Sequence, residues 1–196
     1  MTTIYLAGPD VFLAKAIEMG QAKKELCARY DFEGLFPLDA ELAQTRTTDL
    51  STRIFDANME ALARCDAVVA NLTPFRGVSA DVGTVFEVAY AYALGKPVFA
   101  YSNAAENLRD RVSSALGLKP PVAGQENREF ASDGMEVENF NLADNLMIVE
   151  AIRRQGRDIV TPAASVADPL GDLAAFEECL RRARIYFIEL KSSAAA

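Results

Sequence analysis

Short apolar runs that read as strands alternate along this chain with longer segments whose apolar residues recur at helical spacing. The strand-like runs are 3–8 (TIYLAG), 32–37 (FEGLFP), 67–72 (AVVANL), 97–102 (PVFAYS) and 158–162 (DIVTP). Between them lie helical segments over 13–30, 51–65 with Ser51 as N-cap, 80–97, 104–116, 141–155 and 173–191. A strand returning to the same sheet through a helix must run parallel to its predecessor, and both faces of such a sheet are then covered.

The expected fold is therefore α/β: a single doubly wound domain over 1–191, with a five-stranded, mainly parallel sheet flanked by helices, flavodoxin- or Rossmann-like. Residues 192–196 read as a flexible tail. Residues 117–134, rich in Gly, Pro and charge, read as an exposed loop and not a linker, since too little chain follows for a second domain. Ligands of such folds bind beyond the carboxyl ends of the strands. The segments AGPDVF (7–12) and NLTPFRGVSAD (71–81), with the loop after the fourth strand, should meet there.

Composition removes several chemistries. The 196 residues carry 20 Lys and Arg against 28 Asp and Glu, a formal net charge of -8, which argues against a nucleic-acid partner. No apolar run is long enough to span a membrane. MTTIYLAGP has no basic region ahead of its apolar run, so it reads as a first strand and not a signal peptide, and the chain as cytoplasmic. Cys27, Cys65 and Cys179 stand far apart in apolar contexts with no metal-site spacing and read as reduced, buried thiols. Histidine is absent, which excludes Ser-His-Asp and Cys-His nucleophile pairs and His-containing zinc sites. No metal or cofactor is expected. Acid-base or nucleophilic work falls to carboxylates, tyrosines or lysines.

ADVGTVFEVAYAYALGKP (80–97) then stands out. It reads as one helix closed by Gly95 and Pro97, apolar on every side, with Glu87 the single carboxylate between Asp81 and Lys96. A buried carboxylate costs several kcal/mol unless it is paired or hydrogen-bonded. Glu87 is thus either half of a structural ion pair or part of an active site. The small residues Thr84 and Gly83, three and four positions before it, leave room against that carboxylate. Asp81 is an N-cap that also faces the strand-end cleft. It is about 9 Å of axial rise from Glu87 and on another face of the helix, so joint action requires a ligand spanning both.

Elsewhere, Gly8 sits in a Gly-Pro turn that lets backbone approach a ligand, and Tyr5 is either a plain strand aromatic or the partner of a carboxylate. Phe12, Phe75 and Arg76 are ordinary loop residues or a flat clamp for an aromatic ligand. Neither a GxGxxG nor a GxxxxGK[ST] phosphate cradle is present.

Taken together, IYLAGPDVF, NLTPFRGVSADVGTVFEVAYA and FNLADNLMIVEA resemble the nucleoside 2-deoxyribosyltransferases, from the first strand to about residue 155. The resemblance implies that 2'-deoxyribonucleosides and free nucleobases are the partners. It makes Glu87 the nucleophile at the anomeric carbon, with a covalent deoxyribosyl-enzyme and net retention, and Tyr5 the residue that orients it. Asp81 and Asn145 are implied to bind sugar hydroxyls. Asn145 and Met147 are implied to be lent to a neighbouring subunit's site, which makes the protein at least a homodimer. Some members carry an aspartate where this chain has Asn58, an amide that cannot exchange a proton; Asp81 or water would then protonate the leaving base, and Asn58 would orient the base or be structural. The KSSAAA ending does not suit the role that some members give their C-terminal carboxylate. Without the resemblance, Asn145 reads as a surface helix residue and Met147 as core. An N-glycoside hydrolase on the same scaffold, and a non-catalytic nucleotide-binding module, are the rival readings.

Overall fold

A computed structural model describes residues 1–41, 49–120 and 127–194. Four strands form one sheet: β1 (Thr2–Ala7), β2 (Phe32–Leu35), β3 (Ala67–Asn71) and β4 (Val98–Tyr101). All pairs are parallel and the spatial order is β2-β1-β3-β4. The helices are α1 (Ala16–Arg29), α2 (Leu38–Glu41), α3 (Leu50–Arg64), α4 (Val82–Ala93), α5 (Leu108–Leu116), α6 (Leu146–Arg153) and α7 (Ala174–Ala194).

The two-residue period of a strand sorts the side chains of β1 into two cores. Ile4 and Leu6 join Phe176 and Leu180 of α7 on one face. Tyr5 and Ala7 join Val88 of α4 and Ile148 of α6 on the other. The doubly wound reading holds, and the parity of position 5 is what turns Tyr5 toward α4.

Several boundaries differ from the sequence reading. The expected fifth strand at 158–162 contributes one parallel bridge, Val160 to Tyr101. Pro162, which has no amide N–H to donate, closes the run two residues later. The last helix continues through residues 192–194, where the Ser192 and Ser193 hydroxyls donate to the Ile188 and Glu189 carbonyls; residues 195–196 lie outside the described residues. Within 117–134, residues 121–126 lie outside the described residues. The remainder is not all loop: β5 (Glu129–Phe130) pairs antiparallel with β6 (Glu136–Val137). Asp49, not Ser51, is the N-cap of α3.

The largest difference concerns α4. Its apolar run is not buried all round: Val82 is 83% and Phe86 51% exposed, and Phe86 packs beside the exposed Phe55 of α3. Among the described residues no helix is long and apolar enough to cross a membrane.

Candidate active site

Tyr5, inside β1, and Glu87 of α4 meet on one face of the sheet. The Tyr5 hydroxyl donates to Glu87 Oε1 at 2.6 Å. Tyr5 is buried and Glu87 half-buried. Among the described residues no lysine or arginine pairs with Glu87, and Tyr5 is the only hydrogen-bond donor to its carboxylate. Burial pushes the Glu87 carboxyl up to about 7; the Tyr5 bond pulls against this and the charge of Asp81 adds to it. Burial, and then the neighbouring Glu87 charge, drives the Tyr5 hydroxyl well above the ordinary tyrosine range, so it stays a proton-bearing donor.

Asp81 caps α4. Its Oδ2 accepts from the Thr84 amide at 2.9 Å and from the Thr84 hydroxyl at 3.0 Å, while Asp81 makes no hydrogen bond to Glu87. Thr84 is buried behind the cap, and a Cβ on Gly83 would stand 3.0 Å from Asp81 Oδ2. Asn58 of α3 lines a cavity of about 260 Å3 together with Tyr5, Leu35, Phe36 and Arg64. Larger hollows of about 420 Å3 lie beside α7 and between α5 and α6, and neither is lined by Tyr5 or Glu87. The smaller cavity reaches Tyr5 and Asn58, and Glu87 is not among its lining residues.

Phe12 and Phe75 stack on one another, centroids 5.1 Å apart at 13°, with the Arg76 guanidinium 5.2 and 4.7 Å from their centroids. The expected clamp is thus closed on itself: a ligand would meet the stack from outside and not slide between the rings. Gly8 lies beneath. A Cβ there would come within 2.4 Å of Asp10 Oδ2 and 2.7 Å of Asn71 Cβ, so only glycine fits.

Asn145 and Met147 stand apart from this group. Asn145 caps α6 through Oδ1, which accepts from the Met147 amide at 3.0 Å, and its Nδ2 donates to Glu138 at 2.6 Å. Met147 is not core: it is 73% exposed. No hydrogen bond joins Asn145 to Tyr5, Asp81 or Glu87 among the described residues.

The sequence profile of the family described as nucleoside 2-deoxyribosyltransferase matches residues 4–147. The chain belongs to that family. Membership makes it an enzyme of the pentosyltransferase class, acting on deoxynucleosides and nucleobases. It is 32% identical over 167 residues to an uncharacterized protein of Schizosaccharomyces pombe, covering 78% of each chain. Among solved structures it is similar to a 2-deoxyribosyltransferase from Leishmania mexicana, with TM-score 0.63, 29% identity, and coverage of 92% of this chain and 98% of that one. A conserved protein from Enterococcus faecalis shares the fold, with TM-score 0.55, 22% identity, and coverage of 93% and 98%.

Two buried groups escaped the sequence reading. Asp10, inside the AGPDVF turn, pairs with Lys23 at 2.7 Å. Asp144 sits immediately before Asn145 and binds Ser79, Ala80 and Arg111. The only available signal was an acid between apolar neighbours, Pro9 and Val11 in the first case and Ala143 in the second. Among the described residues no cluster of His, Cys, Asp and Glu suits a metal. Cys27 and Cys179 are buried, and burial pushes both thiols up to about 12, which keeps them unreactive.

Proposed function

We propose that this enzyme exchanges nucleobases on 2-deoxyribose through a covalent deoxyribosyl-Glu87 intermediate, with purines among the bases accepted. The observation that carries the reading is the Tyr5–Glu87 pair: one carboxylate oxygen held by a buried hydroxyl at 2.6 Å, the other without a hydrogen bond among the described residues. The free oxygen attacks the anomeric carbon as the glycosidic C–N bond breaks, and the departing base takes a proton. A second base then attacks the same carbon as the ester C–O bond breaks, returning its ring N–H proton to the group that protonated the first base, and two inversions give retention. Tyr5 keeps its proton and steers the carboxylate without acting as a base.

Asp81 and Asn145 hold sugar hydroxyls. Asn58, with Gly8, Gly83 and the outer surface of the Phe12–Phe75–Arg76 stack, borders the base and sugar. Asn58 has no proton to exchange, so Asp81 or water protonates the leaving base. A second subunit covers the exposed apolar residues Val82, Phe86, Phe55 and Met147 and lends Asn145 and Met147 to the neighbouring site. That cover excludes water from the ester and favours transfer over hydrolysis. The elements from β1 to α7 act as one domain, in the cytoplasm.

The test is to mix the enzyme with deoxyinosine and adenine, with pyrimidine donors in parallel, and separate the products by chromatography. Deoxyadenosine and hypoxanthine should appear, and Glu87→Ala should lose at least about a thousandfold in rate. Free deoxyribose without new nucleoside would mark a hydrolase. Turnover that survives in Glu87→Ala would remove Glu87 from the nucleophile's role.

A further inference from the structure

Asp144 is buried, 1% exposed, and it is surrounded by donors from two distant segments. From the loop that leads into α4, the Ser79 hydroxyl and the Ala80 amide (3.0 Å) both donate to its carboxylate. From its own segment, the Asn145 amide donates at 2.8 Å. Arg111 of α5 adds a guanidinium contact at 3.3 Å. The same guanidinium donates to the carbonyls of Val78 at 2.7 Å, Ala143 at 2.7 Å and Glu106 at 2.5 Å. Side chain and backbone thus form one polar knot that binds residues 78–80 to residues 143–145.

What the knot separates is the informative part. Residue 80 is followed by Asp81, the cap of the helix that carries Glu87. Residue 144 is followed by Asn145, the cap of α6, with the exposed Met147 two residues on. Resting on the shared-site reading given above, these are a group that acts at home and a group that acts in the neighbour's site. We propose that Asp144 is a positioning residue serving both sites at once: through Ser79 and Ala80 it seats the Asp81 end of α4 in its own site, and through the Asn145 amide it seats the residues lent to the neighbour. Arg111 is the strut that fixes its carboxylate. A buried, multiply bonded carboxylate suits this role, because losing one donor leaves the remaining groups unsatisfied and shifts both segments together.

A merely structural Asp144 would lower stability and leave kinetics alone. The discriminating experiment purifies mixed dimers from co-expressed, differently tagged chains. Pairing Glu87→Ala with Asn145→Ala puts an intact nucleophile and a lent intact asparagine in one site, so the mixed dimer should recover about half the wild-type activity. Pairing Glu87→Ala with Asp144→Asn should not recover it, because the only site with a nucleophile also has the displaced α4 approach. Its kcat/KM should stay about 10- to 100-fold below wild type. Ser79→Ala, which leaves Asp144 in place, should fail to complement in the same way and guards against an Asp144→Asn chain that does not fold. Full recovery with Asp144→Asn or Ser79→Ala would overturn the proposal, as would wild-type kinetics in either variant alone. If the Asn145→Ala pairing recovers nothing, the shared site itself falls, and the two-site role of Asp144 falls with it.

Discussion

Asp10 and Glu87 are both carboxylates drawn away from water, yet one is held by a buried cation and an amide and the other by a single hydroxyl. Asp10, 1% exposed, receives Lys23 Nζ at 2.7 Å and Asn71 Nδ2 at 3.2 Å to each oxygen. Lys23 is as deeply buried and lies over the rings of Tyr101 and Phe176. Glu87 receives one hydroxyl and no cation among the described residues. A paired acid is stabilised where it sits and has little drive to react; a carboxylate whose charge is poorly compensated gains by bonding to an electrophilic carbon. Paired burial gives Asp10 a structural part, and unpaired burial is what the proposed chemistry asks of Glu87.

The largest effect expected from breaking this contrast is on stability, at the paired site. Lys23→Met removes the cation but leaves Asp10 buried, at a cost of about 3–5 kcal/mol. Adding Asp10→Leu should return much of the loss, since a buried pair replaced by apolar groups is often nearly neutral. Urea unfolding of both variants measures the difference. A single variant as stable as wild type would mean that water reaches Asp10, and the contrast with Glu87 would weaken.

The unpaired site was the easier one to see in the sequence. Glu87 is legible because it is the sole acid on an apolar helix, and the alternation of strands and helices placed it at the strand ends. Its partner Tyr5 lies 82 positions away, and only the parity of β1 and the order of the strands bring the two together. The paired site stayed hidden for the opposite reason: Asp10 and Lys23 look like turn and helix-surface residues until α1 and α7 close over them. Asp144 and Arg111 were hidden in the same way, their partners lying 64 and 33 residues off along the chain. The reading of α4 as buried all round erred instructively. Hydrophobicity reports that Val82 and Phe86 avoid water, and it does not say whether their own chain or a second copy covers them.

A smaller effect sharpens the reactive side. Tyr5→Phe removes the one bond that holds the Glu87 carboxylate, and kcat/KM should fall about 10- to 100-fold. The pH profile separates steering from simple packing. Wild-type kcat/KM should drop as pH falls through about 7, where Glu87 gains its proton. The Tyr5 bond favours the ionised form, so its loss should move that acid limb to higher pH. A limb that stays put would mean the hydroxyl does not act on Glu87.

The smallest effect is a gain, and its pH dependence carries the argument. The Glu87 carboxyl stands at about 7 in the folded chain against an ordinary 4.5, so ionising it costs the fold up to about 3 kcal/mol. Its partial contact with water reduces this to about 1–2 kcal/mol. The folded state binds the proton more tightly, so the cost is absent below 4.5, grows between 4.5 and 7, and is complete above. Glu87→Gln, which still offers Tyr5 an acceptor, should therefore be no more stable than wild type at pH 4 and about 1–2 kcal/mol more stable at pH 8. Thermal unfolding of both proteins across that range measures it. Equal stability at every pH would show that the ionised carboxylate is comfortable where it sits, and Glu87 would then belong with Asp10 among the settled charges.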